Sequence, residues 1–271
     1  RRYAFYIFLL TVLLTLAVFI PGLGMTHGGA TRWISIGGFT LQPAELLKLG
    51  FIIYVATWLS GMRDVITDTV KGTLPFVAIV GSVGFVMLLQ PDTDTFLIMG
   101  AAAMAMFVTA GGRWRDVGLM FVSAVLLLAI VAMVRPYIMD RLTTFLHPER
   151  DPLGSGYQIQ QSLIAVGSGG FSGRGFGQSI QKFEYLPEPI GDSIFAVYAE
   201  EFGFVGSSLL ILLYLGFTFR GYKIAGQAPD LFGTLLVVGF MTLIILQAFL
   251  NICATLGIAP LSGLPFPLIS H

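Results

Sequence analysis

VGLMFVSAVLLLAIVAMV, residues 117–134, runs for 18 residues without a charge, and its reading decides the fold. A bilayer core about 30 Å thick takes roughly 20 apolar residues wound as α-helix, so a run of this length and purity is a membrane span. Residues 3–20, 72–89 and 95–111 repeat the pattern and are equally uncharged. Three further runs carry polar exceptions: Lys48 in 46–62, Glu200 and Glu201 in 193–219, and Gln247 and Asn251 in 231–258. The expectation is an all-α, polytopic transmembrane helix bundle of seven spans. No stretch between the spans is long enough to fold alone, so residues 1–271 read as a single membrane domain with one large loop, 135–192, inside it. The first run is too long for the core of a signal peptide, and no small-residue cleavage site follows it.

Composition agrees. The chain is 55% hydrophobic and 11% charged, where a soluble domain carries about a quarter charged residues. Its 15 Lys plus Arg balance 15 Asp plus Glu, which excludes a nucleic-acid binder working by bulk positive charge. A mean hydropathy of +0.84 excludes a disordered chain. Cys253 is the single cysteine of the sequence, so an intrachain disulfide and a cysteine zinc site are excluded too.

Short loops rich in Lys and Arg stay cytoplasmic. Arg1 and Arg2, Arg63 and Lys71, Arg113 and Arg115, and Arg220 and Lys223 all fall on one side of the alternation, which is therefore expected to be cytoplasmic. Loop 135–192 then lies outside. Connections of that length are functional or disordered, and its composition argues for order. Within it, residues 157–168 set Ile159, Leu163 and Val166 on one face, the pattern of a short interfacial helix. The glycine-rich run 167–177 around Arg174 has two readings, a nest of backbone amides for a phosphate or a flexible loop without ligand. Neither the dinucleotide fingerprint nor the P-loop pattern occurs.

Ionisable groups at membrane depth are costly, which makes each one a functional candidate. Glu45 and Lys48 stand three residues apart at the outer end of a span, spaced to pair on a helix, with direct substrate contact as the alternative. Asp192 immediately precedes the span that begins at Ser193, where a carboxylate suits a helix N-terminus. Glu200 is rotated by only about 80° from Asp192 and lies roughly 12 Å deeper, whereas Glu201 points away. A carboxylate at that depth implies a polar cavity beneath Asp192. In the outer turn Gln90-Pro91-Asp92-Thr93-Asp94-Thr95, Asp94 is expected to cap the next helix. The two carboxylates fall short of an oxygen ligand set for a divalent cation. Gln247, Asn251 and Thr255, four apart, read as interhelical glue. His27, His147 and His271 show no metal-ligand spacing, and no metal site is expected.

Three separated motifs carry a resemblance. The first is Gly29-Ala30-Thr31-Arg32-Trp33-Ile34 running on to Leu41-Gln42-Pro43-Ala44-Glu45-Leu46-Leu47-Lys48. The second is Leu186-Pro187-Glu188-Pro189-Ile190-Gly191-Asp192-Ser193-Ile194-Phe195-Ala196-Val197 with Glu200-Glu201-Phe202-Gly203-Phe204-Val205-Gly206. The third is Gly263-Leu264-Pro265-Phe266-Pro267-Leu268-Ile269-Ser270. In this order they resemble the motifs of the SEDS family of bacterial envelope proteins, which includes RodA and FtsW, and residues 189–193 look closer to FtsW-like members. Three positions depart from the family pattern: Asp94 stands at the usual glycine of PD-x-GT, Ala44 at the serine of QPSE, and Gly191 where many members have threonine. Members have about ten spans, so the resemblance implies a chain truncated at both ends.

The resemblance implies an inverting peptidoglycan glycosyltransferase that adds lipid II disaccharide units to glycan strands and releases undecaprenyl pyrophosphate, in cell division or elongation. It implies a multi-pass protein of the bacterial cytoplasmic (inner) membrane with its active site on the extracytoplasmic side. The family's essential aspartate maps onto Asp192, and its other functional positions onto Arg32, Trp33, Gln42, Glu45, Lys48 and Glu200. The implied partners are lipid II, the growing glycan strand, membrane lipid and a class B penicillin-binding protein transpeptidase. Pyrophosphate leaves without protonation when cations stabilise its charge, so one base suffices, and Asp192 is the expected base for the acceptor hydroxyl. Arg32, Lys48, Arg174 and Lys182 are the expected pyrophosphate partners, with a bound divalent cation, magnesium or manganese, as their substitute. Two alternatives stand beside this reading: a lipid II flippase whose path Glu200 lines, and a non-catalytic scaffold for envelope enzymes.

Overall fold

The computed structural model describes residues 1–27, 30–36, 39–151 and 154–270, so Gly29 of the first motif and His271 lie outside the described residues. In chain order the elements are helix α1 (Ala4–Ala17), strands β1 (Gly24–His27), β2 (Ala30–Ile36) and β3 (Phe39–Leu41), then α2 (Pro43–Gly61). A π-helical turn (Thr69–Thr73) leads into α3 (Leu74–Leu89), followed by α4 (Thr93–Thr109) and α5 (Trp114–Val134). The long loop carries α6 (Pro136–Leu146), α7 (Ser155–Gly169) and α8 (Gln181–Glu184), and the chain continues with α9 (Ile194–Ala225) and α10 (Leu231–Thr255). Each of the seven expected runs is an apolar helix: five are long enough to cross a bilayer, and α1 and α4 are shorter. The chain is a multi-pass, all-α membrane protein with one small sheet.

Aspartates cap several of the helix starts. Asp68 accepts from the amides of Val70 and Lys71, at 2.8 and 2.9 Å, where the chain enters the π-helical turn. Asp92, not Asp94, occupies the cap position of α4, with its carboxylate 3.3 Å from Thr95 N. Capping serves the second or third amide of a helix, so the cap lies three residues before Thr95, and Asp94 falls in the first turn.

The all-helical expectation passes over the sheet. Its strands run antiparallel in the order β1-β2-β3, with Met25 opposite Trp33 and Ile34 opposite Leu41. β2 is rich in β-branched and aromatic residues, Thr31, Trp33, Ile34 and Ile36, which suits a pleated, half-buried surface. The run is short, and a reading by hydropathy over bilayer lengths misses it.

The chain divides into two compact units, residues 1–121 with 220–243, and residues 122–219 with 244–271. In the first unit, Phe51, Ile52, Val55 and Leu59 of α2 pack with Met99, Ala102, Ala103 and Met106 of α4 in one buried cluster. Small residues bring helix backbones together where no water drives association, as at Gly50, whose Cβ would lie 2.4 Å from the Thr11 hydroxyl. In the second unit, Phe266 stacks on Phe195 at 6.1 Å and meets Tyr214 edge-on at 5.2 Å.

The helix expected at 157–168 forms as α7, but its buried face is Ile159, Ser162, Ala165 and Gly169. Leu163, set on the apolar face of the expected interfacial helix, is 44% exposed. Close approach explains the rotation: a Cβ on Gly169 would lie 2.1 Å from the Ala199 carbonyl oxygen of α9, so the small face turns inward.

Candidate functional site

The span expected to run unbroken through 193–219 is broken at Gly203, whose φ of 64° and ψ of −162° belong to a region open to glycine almost alone. A broken helix inside a membrane protein frees carbonyls and amides that hydrocarbon cannot satisfy. The glycine-rich run satisfies them here. Arg174 N and Gly175 N donate to the Glu200 and Glu201 carbonyls at 3.0 and 2.9 Å, and Phe204 N and Val205 N donate to the Gly170 and Phe171 carbonyls at 2.9 and 3.1 Å. The fit leaves no room for a side chain at Gly173, where a Cβ would sit 2.1 Å from the Glu201 carbonyl oxygen. The loose-loop reading is corrected, because the run is docked on α9; of its amides, Arg174 N and Gly175 N are spent there.

Glu200 is fully buried, 0% exposed. Its carboxylate accepts from Ser179 Oγ at 2.6 Å, Ile180 N at 3.2 Å and Gln181 N at 3.3 Å, and pairs with Arg174 Nε at 3.4 Å. Its neighbour Glu201 pairs with Lys182 Nζ at 2.6 Å. The polar cavity expected beneath Asp192 is therefore not what surrounds Glu200; protein donors from residues 174–181 meet its carboxylate.

Asp192 is half-buried at the head of α9, in a turn fastened from several sides. Gly191 N and Ser193 N both donate to the Glu188 carbonyl at 3.2 Å, and Ser193 Oγ donates to the Pro187 carbonyl at 3.0 Å. Gln158 of α7 donates to Ser193 Oγ at 3.1 Å. From α10, Asn251 Nδ2 donates to the Asp192 carbonyl at 2.9 Å. The sequence reading of Asn251 as glue foresaw a hydrogen-bonding residue but not its partner, because a main-chain carbonyl leaves no signature in sequence.

The first motif lies in the other unit. Lys48 is buried with its ammonium 2.7 Å from Glu45 Oε1, the pair expected from their spacing. Arg32 Nε donates to the Gln90 carbonyl at 3.3 Å, and Nη2 donates to the Pro91 carbonyl. Gln42 occupies the cap position of α2 through its extended backbone, and Trp33 is about one-third exposed, paired across the strands with Met25. Beside this corner Asp92 is buried, and Oδ2 has no hydrogen-bond partner among the described residues. Burial pushes the Asp92 carboxyl above its ordinary range, against the pull of the Arg32 charge. Arg32, Trp33, Gln42, Glu45 and Lys48 thus belong to one unit, and Arg174, Lys182, Asp192 and Glu200 to the other. Among the described residues no three His, Cys, Asp or Glu side chains gather as a metal site.

Apolar helices joined by turns and by one long segment between α5 and α9 define a polytopic membrane protein. The chain belongs to the FtsW/RodA/SpoVE family, described as cell cycle proteins, whose model matches residues 1–271. Stage V sporulation protein E of Bacillus subtilis (strain 168) is 40% identical over 273 residues, covering 100% of this chain and 74% of that protein. A probable peptidoglycan glycosyltransferase FtsW of Thioalkalivibrio sulfidiphilus (strain HL-EbGR7) is 40% identical over 261 residues, with 95% of this chain and 65% of the relative covered. Among solved structures, a chain of a peptidoglycan synthase complex that coordinates polymerization and crosslinking superposes with a TM-score of 0.79 at 29% identity, over 99% of this chain and 74% of that one. The rod shape determining protein RodA of Thermus thermophilus gives a TM-score of 0.67 at 25% identity, over 99% and 71%. The chain thus spans between about two thirds and three quarters of the length of these proteins.

Proposed function

We propose that this protein is a peptidoglycan glycosyltransferase that extends glycan strands from lipid II at the outer face of the bacterial cytoplasmic membrane. The observation that carries the reading is Asp192, a carboxylate at the membrane-proximal head of α9 whose main chain is held by Asn251, in a family with members named for this activity. A lipid pyrophosphate donor arrives activated, and its leaving group needs charge stabilisation rather than an acid. Asp192 takes the proton of the acceptor sugar hydroxyl, whose oxygen forms the new bond to the anomeric carbon as the bond to pyrophosphate breaks, with inversion. Arg174 and Lys182, in the same unit, supply positive charge by exchanging Glu200 and Glu201 for phosphate oxygens. Among the described residues no three His, Cys, Asp or Glu side chains gather for a metal, and Arg174 and Lys182 are the cations this reading uses.

Arg32, Trp33, Gln42, Glu45 and Lys48 serve this reading as an ordered outer corner, in which Arg32 fixes the 90–91 turn and Lys48 neutralises Glu45. A class B penicillin-binding transpeptidase, which cross-links new strands, is the partner that fits this product. The flippase alternative drew on a carboxylate lining a translocation path, and the full set of donors around Glu200 removes that support. Full-length protein given labelled lipid II tests the reading. Wild type makes glycan polymer, and Asp192→Asn loses about 10²–10⁴ in rate, the range that a general base supplies. Wild-type polymer yield from Asp192→Asn rejects the base, and transbilayer movement without polymer rejects the transferase.

A further inference from the structure

Asn251 is 1% exposed on α10, and its side-chain nitrogen lies 2.9 Å from the Asp192 carbonyl oxygen and 2.8 Å from the Leu264 carbonyl oxygen. An amide NH₂ has two protons, and both are used. The flipped amide would set Oδ1 against two carbonyl oxygens, so chemistry fixes the orientation. Oδ1 itself is buried without a partner among the described residues. Leucine, nearly the same size, would bury no such orphan and would insert more readily. What asparagine contributes is the pair of donated bonds.

Those bonds join two distant segments. Residues 264–267, from the third motif, are pinned to the helices around them: Gln247 donates to the Pro265 carbonyl at 2.8 Å, and Tyr214 donates to the Pro267 carbonyl. Asn251, one turn beyond Gln247, extends this row to the turn that carries Asp192, and Thr255 Oγ donates to the Asn251 carbonyl at 2.8 Å. We propose that Asn251 is a positioning residue for glycosyl transfer: it clamps the Asp192 main chain to the third motif and so fixes where the carboxylate meets the acceptor hydroxyl. The proposal rests on the reading of Asp192 as the base. Misplacing a reacting group by about 1 Å costs on the order of 10² in rate, without weakening contacts that substrate makes elsewhere.

The test uses full-length protein in liposomes, with lipid II as substrate and Asn251→Leu, Asn251→Asp and Asp192→Asn as variants. Asn251→Leu removes both donors at similar size, and Asn251→Asp turns one donor atom into an acceptor facing two carbonyls. Both are expected to lower kcat about 10²-fold, while KM and the directly measured Kd for lipid II stay within about threefold of wild type, even where the loss of the two donated bonds lowers the melting temperature. Wild-type kcat in both Asn251 variants beside an inactive Asp192→Asn overturns the clamp and leaves the base standing. A parallel fall in kcat, lipid II affinity and melting temperature also overturns it, because that is the mark of general structural damage. Wild-type kcat in Asp192→Asn removes the base, and the clamp with it.

Discussion

Asp92 shows how one carboxylate can stabilise a helix and strain a fold together. Its Oδ1 caps α4 through Thr95 N, while Oδ2 is buried without a partner among the described residues. Burial, the largest influence, raises the carboxyl above its ordinary value of 3.8, and the Arg32 charge opposes this. The sign follows: the folded state holds the proton more tightly than the unfolded chain, so stability falls as pH rises from the ordinary carboxylate value toward the raised one. Asp92→Asn keeps a capping oxygen and removes the charge. It is expected to raise the melting temperature at pH 7, by roughly 2–4 °C per kcal/mol relieved, and the gap to wild type should close as pH falls toward 4. A gap that persists unchanged in acid rejects burial as its source. The sequence pointed to Asp94 instead, because cap preference is shared by neighbouring Asp residues and only the first amides of the helix decide between them.

At the scale of elements, the break in α9 and the loop docked on it form one device. Alanine at 203 would carry a Cβ 2.3 Å from Gly173 N and hold a backbone conformation that side chains disfavour. The backbone alone costs about 1–3 kcal/mol. Gly203→Ala is expected to detach residues 170–175, with faster amide exchange at Arg174 and Gly175; exchange as slow as in wild type rejects the docking. The seven apolar helices, five of them long enough to cross a bilayer, were legible because bilayer thickness imposes a length that composition reveals. The break was not, because Gly203 sits in an apolar run where one glycine is unremarkable in a membrane helix. The glycine run 167–177 did signal close approach, yet nothing in it said that the approaching group was the main chain of α9. The pairing of Glu45 with Lys48 was legible from spacing alone, whereas those of Glu200 with Ser179 and Arg174 span more than twenty residues and needed the fold.

For the whole molecule, the basic loops set an orientation that labelling can test. Cysteines introduced at Lys223 and at Phe176, in a background where buried Cys253 is replaced by alanine, should react oppositely with a membrane-impermeant maleimide. Intact cells should label position 176 and spare 223, and the reverse pattern rejects the assignment of sides. The molecule-wide reading of one membrane domain was drawn from hydropathy, which counts spans but carries no information on how they cluster. The division into two compact units follows from contacts, and α5, α9 and α10 each pass from one unit to the other along their length. The order of the chain also sets a timetable for assembly on the ribosome. Residues 170–175 are translated before α9, so the break at Gly203 meets its partners as soon as that helix is made. The carbonyl of Asp192 waits for Asn251, 59 residues later. At about 5–20 residues per second that delay is roughly 3–12 s, during which the turn bearing the carboxylate has its local bonds but not yet its hold from α10.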